Sequence, residues 1–138
     1  MYWLCITNER NWRVIREKNV WGVNSEAQIS RVKKGDKLVI YLKQEKLNDE
    51  IKGPRIVALY EVNSEAFRDS SRIFDKDCPY RVRIKPIKIF EESLDFRSLI
   101  PKLSFIKKKK FWGAYLQRDM VPIPEEDWKV ILDECYER

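Results

Sequence analysis

Apolar positions in this chain fall mostly into short runs of four to eight residues, the spacing of strands, with helical periodicity confined to two stretches. Tyr2 to Thr7 reads as a strand. Asn8 then offers a side-chain oxygen to cap a helix over Glu9–Lys18, with Trp12 and Ile15 facing inward. A break at Trp21-Gly22-Val23-Asn24 precedes a short helical turn over 26–32, and Lys33-Lys34-Gly35-Asp36 turns the chain into the clearest strand, 38–42. That run is continuously apolar, which predicts burial on both faces. Residues 43–54 are polar and read as a long hairpin loop, and Arg55–Val62 reads as the strand that pairs back.

The segment 63–79 is mixed and predicts irregular chain. From 80 to 85 alternation is strict: Tyr80, Val82 and Ile84 share one face, and Arg81, Arg83 and Lys85 the other. Pro86 cannot donate to a ladder, and the apolar phase then moves to Ile87 and Ile89, which predicts a bulge or barrel corner. At the far end, Pro124 followed by Glu125, Glu126 and Asp127, with Trp128, Ile131, Leu132 and Cys135 at helical spacing, predicts an amphipathic helix. Trp3, Trp12 and Trp128 lie in periodic apolar segments and are expected in the core.

At 138 residues the chain fits one domain, and no composition shift divides it, so residues 1–138 are expected to form a single unit. The 28 Lys and Arg against 22 Asp and Glu leave a net charge of +6, which favours polyanionic partners. Three widely spaced cysteines suggest neither a disulfide framework nor a metal site, and no apolar stretch approaches a membrane span. A cytoplasmic, membrane-free protein is expected, monomeric or weakly dimeric. Abundant Lys, Glu and Ile with three Gln hint at a thermophilic source.

There is no histidine, which removes the usual base near neutral pH and the commonest metal ligand. The four glycines are isolated, so no phosphate-cradling loop is present. Paired carboxylates at Glu91-Glu92 and Glu125-Glu126 are explained by solvation and helix polarity. The expectation is a non-enzyme without cofactor or metal. Seventeen aromatic residues beside clustered cations are the mixture that stacks bases and neutralises phosphates. Trp21, beside Gly22 in a break between elements, either presents a flat ring or sits in the core beneath a loop, and both readings stand. Lys107, Lys108, Lys109 and Lys110 with Phe111 and Trp112 form either a phosphate grip or a solvated loop. Arg81, Arg83 and Lys85 form either a second cationic strip or an ordinary outer face.

The pieces Tyr2 to Asn8, Asn11-Trp12, Trp21-Gly22-Val23, 34–41, Pro79 to Val82 and 123–127 together resemble the EVE domain, a member of the PUA-like superfamily, in matching order along the chain. The resemblance implies an α+β fold: a PUA-like mixed β-barrel with flanking α-helices. It also implies a pocket like those of YTH and SRA domains, which receive a modified, for example methylated, base flipped from RNA or DNA. By that resemblance Trp21 would line the pocket, with Gly22, Val23 and Asn24 at its mouth. Tyr41 and Gln44 would meet the base edge, Tyr80 and Arg81 would lie nearby, and Trp112 would add a wall. Arg83, Lys85 and Lys107 to Lys110 would hold the nucleic-acid backbone. The competing expectations are a hydrolase or RNA-processing enzyme of the related ASCH group, and an accessory module that docks a protein partner.

Overall fold

The computed structural model describes residues 1–136. They form β1 (Tyr2–Thr7), α1 (Glu9–Lys18), β2 (Val20–Val23), α2 (Glu26–Ile29), β3 (Lys37–Leu42), β4 (Glu45–Leu47), β5 (Glu50–Lys52), β6 (Arg55–Val62), β7 (Phe67–Arg68), β8 (Tyr80–Asp95), β9 (Met120–Ile123) and α3 (Glu125–Tyr136). Between β8 and β9 lie three 3₁₀ segments, Phe96–Ser98, Ile100–Lys102 and Lys109–Leu116.

The start of α1 follows from local chemistry. Asn8 is extended, at φ −126° and ψ 174°, and its side chain accepts the Asn11 amide at 2.9 Å. The helix stops at Asn19, which enters the left-handed region at φ 54° and returns its amide to the Ile15 carbonyl at 2.8 Å. β2 therefore begins at once, with Trp21 and Gly22 in its middle.

The strands run β2-β8-β6-β3-β1-β9, with β7 on the side of β8. β1 and β3 are parallel, from Tyr2 opposite Lys37 to Thr7 opposite Leu42, and the other pairs in this sheet are antiparallel. Both faces of the central strands are covered, which explains their continuous apolar runs. Trp3, Cys5, Leu38, Ile40 and Leu42 pack with Trp12 and Ile15 of α1. Leu4, Ile6, Val39 and Tyr41 pack with Phe96, Leu103 and the α3 residues Trp128, Ile131 and Cys135.

The sheet curls into a half-barrel because β8 bends. Its register against β6 shifts between Leu59 and Tyr60, opposite Pro86 and Lys88, and again between Ile56 and Ala58. The expected bulge after Pro86 is present. The curl brings the two outermost strands together through side chains: the Trp21 indole N–H donates to Met120 Sδ at 3.4 Å, and the Gln28 amide of α2 donates to the Met120 carbonyl at 2.9 Å. β2 and β9 thus meet at a seam made of side chains.

Three expectations need amendment: the stretch 21–24 expected as a break is, through Val23, part of the strand β2 paired with β8. Residues 43–54 are not a plain loop but carry their own hairpin, β4 and β5, turned by Asn48 and Asp49 at φ 49° and 65°, residues that tolerate this region. The cationic strip on β8 is broken: Arg81 is 3% exposed, whereas Arg83 and Lys85 face solvent. Its neighbour across the ladder is Gly22. With no side chain there, the arginine stem folds over the glycine instead of pointing outward.

Candidate functional site

The seam borders a hollow of about 40 Å³, room for a few waters. Ile6, Thr7, Asn8 and Asn11 form one side, Trp21 and Gly22 another, and Phe74, Asp75 and Cys78 roof it, with Lys43 and Asp119 at its rim. Trp21 is a core residue, 3% exposed, that borders this space from beneath.

The roof is the irregular segment 69–79, and three contacts hold it down. Gly22 permits the closest: a β-carbon there would lie 2.9 Å from Phe74 Cε2, 3.0 Å from the Cys78 carbonyl and 3.1 Å from Arg81 Cγ. Arg81 supplies the second, donating to the Cys78 carbonyl at 3.0 Å, to Ser71 Oγ at 3.1 Å and to the Ser71 carbonyl, while pairing with Asp69 at 3.4 Å. Its guanidinium also lies 5.7 Å from the Phe74 ring centre.

Asp75 makes the third. Its carboxylate accepts from Asn8 Nδ2 at 2.7 Å and Asn11 Nδ2 at 2.9 Å, and its backbone amide donates to Asn11 Oδ1 at 2.9 Å. Asn11 Nδ2 also donates to Thr7 Oγ1 at 3.0 Å. Burial raises the Asp75 carboxyl, but the Asn11 and Asn8 hydrogen bonds, with the charges of Lys76 and Arg10, outweigh it and hold the group below its ordinary value. The Cys78 thiol is pushed up by burial and then by Asp119 and Asp75, so it stays protonated.

The structure separates the residues expected at one pocket. Trp21 and Gly22 border the hollow. Val23 is sealed in the core, and Asn24 is exposed just beyond β2. Tyr41 belongs to the opposite face of the sheet and lines a separate groove with Gln44 and Trp112. Tyr80 is half-buried at the start of β8, and Arg81 stands behind the roof and fastens it without lining the hollow. Arg83 lies over Phe67 with 5.2 Å to the ring centre, and Lys85 pairs with Glu61 at 3.1 Å. Lys107 to Lys110 are exposed, although Lys109 also donates to the Leu103 carbonyl.

Asn8, Asn11, Phe74, Asp75, Lys43 and Asp119 are the site residues that sequence reasoning missed. The available signal was the Asn-x-x-Asn spacing at the head of α1, which puts two amides on one side of the first turn. Sequence alone gives Asn8 the role of a cap and leaves Asn11 without one.

The EVE domain family profile matches residues 1–134. The chain belongs to the EVE domain family. The UPF0310 protein of Pyrococcus abyssi is 53% identical over 138 residues, spanning 94% of this chain and 96% of the relative. The UPF0310 protein of Saccharolobus solfataricus is 30% identical over 145 residues, spanning 97% and 93%. Among solved structures, the EVE fold seen here matches the Mmi1 YTH domain in complex with RNA at a TM-score of 0.68, with 15% identity, covering 99% of this chain and 77% of that one. It also matches the human THYN1 protein in complex with DNA containing 5-methylcytosine at a TM-score of 0.61, with 13% identity, covering 96% of each chain. The PUA-like α+β architecture implied by the resemblance is therefore the architecture of this EVE chain.

Proposed function

We propose that this chain binds nucleic acid and receives one base, turned out of its strand and carrying a modification such as a methyl group, between Trp21 and Phe74. The observation that carries the reading is the hollow itself. An indole and a phenyl ring border it beside two asparagine amides, the combination of stacking faces and edge-directed donors that a lone base needs. RNA and methylcytosine DNA bound to proteins of the same fold, and the excess of Lys and Arg, support it.

The hollow is far smaller than the ~300 Å³ at the lower end of ligand pockets, so the base enters by lifting the 74–78 roof. The Asn8 and Asn11 amides then leave the Asp75 carboxylate and turn to the base edge. Hydrogen bonds are exchanged rather than lost, which keeps the cost of opening low.

The site binds without turnover in this reading. Asp75 rises with the 74–78 roof as the base enters, and Cys78 is held as the thiol, so neither is poised as a nucleophile or base. Incubation with modified oligonucleotides is expected to return them unchanged.

The test is an anisotropy titration with labelled DNA and RNA oligonucleotides, methylated and unmodified, at two salt concentrations. One methylated form is expected to bind at least tenfold tighter than its parent. Trp21→Phe, which keeps an aromatic core residue, is expected to weaken that form several-fold, against the ~1–3 kcal/mol of a full base stack. Equal binding of methylated and unmodified strands, with no response to Trp21→Phe, would overturn the proposal.

A further inference from the structure

A second hollow, of about 210 Å³, lies between the end of β3 and the last 3₁₀ segment. Tyr41, Pro54, Trp112 and Leu116 give it an apolar, partly aromatic floor, and Lys43, Gln44 and Arg97 form its rim. Trp112 is half-buried and rests against Phe96, with ring centres 5.8 Å apart; Phe96 in turn meets Tyr41 edge-on at 4.8 Å. A ring braced in this way presents a fixed face at little entropic cost. Among the described residues no carboxylate lines this groove, in contrast to Asp75 and Asp119 around the first hollow. The exposed Lys108 and Lys110 precede Trp112 in the chain.

Lys43 lines both hollows. A strand that leaves a base in the first and continues into the second passes this ammonium, which is exposed and free to meet a phosphate. Resting on the base-reading site above, we propose that the Trp112 groove is a second nucleotide subsite. It holds the nucleotide adjoining the flipped one, its base stacked on Trp112 and the shared phosphate at Lys43. Gln44, whose Oε1 accepts from Arg97 Nη2 at 2.7 Å, stands at the base edge with its amide donors. The chain thus reads a two-nucleotide step, with the flanking position chosen by stacking.

The test compares monomers with short strands on the full chain. The probes are 5-methyldeoxycytidine and N6-methyldeoxyadenosine monophosphates, and trinucleotides carrying each base at the centre, measured by calorimetry. Trp112→Ala is expected to leave monophosphate affinity within twofold and to weaken the trinucleotide ~30-fold, the middle of the range for losing a stacking ring. Lys43→Ala is expected to weaken the trinucleotide and reduce its salt dependence. Trp112→Leu, which keeps the apolar floor, guards against a folding defect and is expected to follow Trp112→Ala.

Equal losses for monomer and trinucleotide would overturn the inference by placing Trp112 in the base site itself. No loss for either would overturn it by leaving the groove idle. Both outcomes leave the first site intact if Trp21→Phe still weakens the monophosphate. Trinucleotide binding that responds to Trp112→Ala while Trp21→Phe has no effect would instead refute the first site, and with it the adjoining-nucleotide assignment.

Discussion

Replacing Gly22 with alanine adds one methyl group at the point where β2, β8 and the 74–78 roof come closest. Gly22 is not in the left-handed region, so alanine meets no backbone penalty there and the effect is purely one of space. Of the three atoms the methyl would meet, Phe74 Cε2 at 2.9 Å and Arg81 Cγ at 3.1 Å belong to side chains. The third, the Cys78 carbonyl at 3.0 Å, is backbone, and it is also the acceptor that orients Arg81. Relief therefore requires the roof to rise by a few tenths of an ångström, which loosens Phe74, the Arg81 hydrogen bond and the Asp75 contacts together. Overpacking of this kind costs about 2 kcal/mol. In a chain of this length that is roughly a 6–8 °C fall in Tm. The assay pairs thermal unfolding with hydrogen exchange. Amides in 69–79 should exchange faster in Gly22→Ala, while those of β1 and β3 keep their protection relative to global stability. A variant with wild-type Tm and unchanged exchange in 69–79 would refute the close approach and the roof built on it.

Arg81→Lys removes the planar fork that spans Ser71, Cys78 and Asp69. It should lose about 2 kcal/mol in urea unfolding, a figure kept low because Asp69 is half exposed, and sensitivity to proteolysis should rise within 69–79. Asp75 is held below its ordinary pKa, so its contribution is complete above the unfolded carboxyl value near 4 and fades as pH falls through the lowered value. Asp75→Asn should therefore be less stable than wild type at pH 6, with the gap narrowing toward pH 2.5 in a pH series of Tm; a constant gap would contradict the assignment. Asp36→Ala should cost about 3 kcal/mol, because it strands the buried Trp3 indole N–H, now 3.0 Å from the carboxylate, and the Lys33 amide at 2.9 Å. Chemical denaturation measures it, and a loss under 1 kcal/mol would count against that geometry.

Local chemistry made much of the fold legible. The Asn8 cap, the 55–62 strand, the bulge after Pro86 and the acidic first turn of α3 each depend on residues within a few positions of one another. What stayed hidden depends on partners far away in the chain. Period-two alternation puts Ile40 and Tyr41 on opposite faces, but only the packing of α1 and α3 decides which of them shares a face with Trp21. The alternation at 80–85 predicts an outward Arg81, and the strand across the ladder reverses this by offering a glycine. The roof is opaque for a different reason: 69–79 lacks a period, and besides the nearby Arg81 its order comes from Asn8, Asn11 and Gly22, whose partners Asp75, Phe74 and Cys78 lie more than fifty residues along the chain.

The joint between β2 and β9 rests on an indole against a thioether and on the Gln28 amide against the Met120 carbonyl, so the sheet can part there while every rung of its backbone ladder stays paired. The width of that slit is set by the side chains at 21 and 120. Relatives that exchange only these two residues would set that wall of the hollow nearer to or farther from the 74–78 roof on an unaltered scaffold.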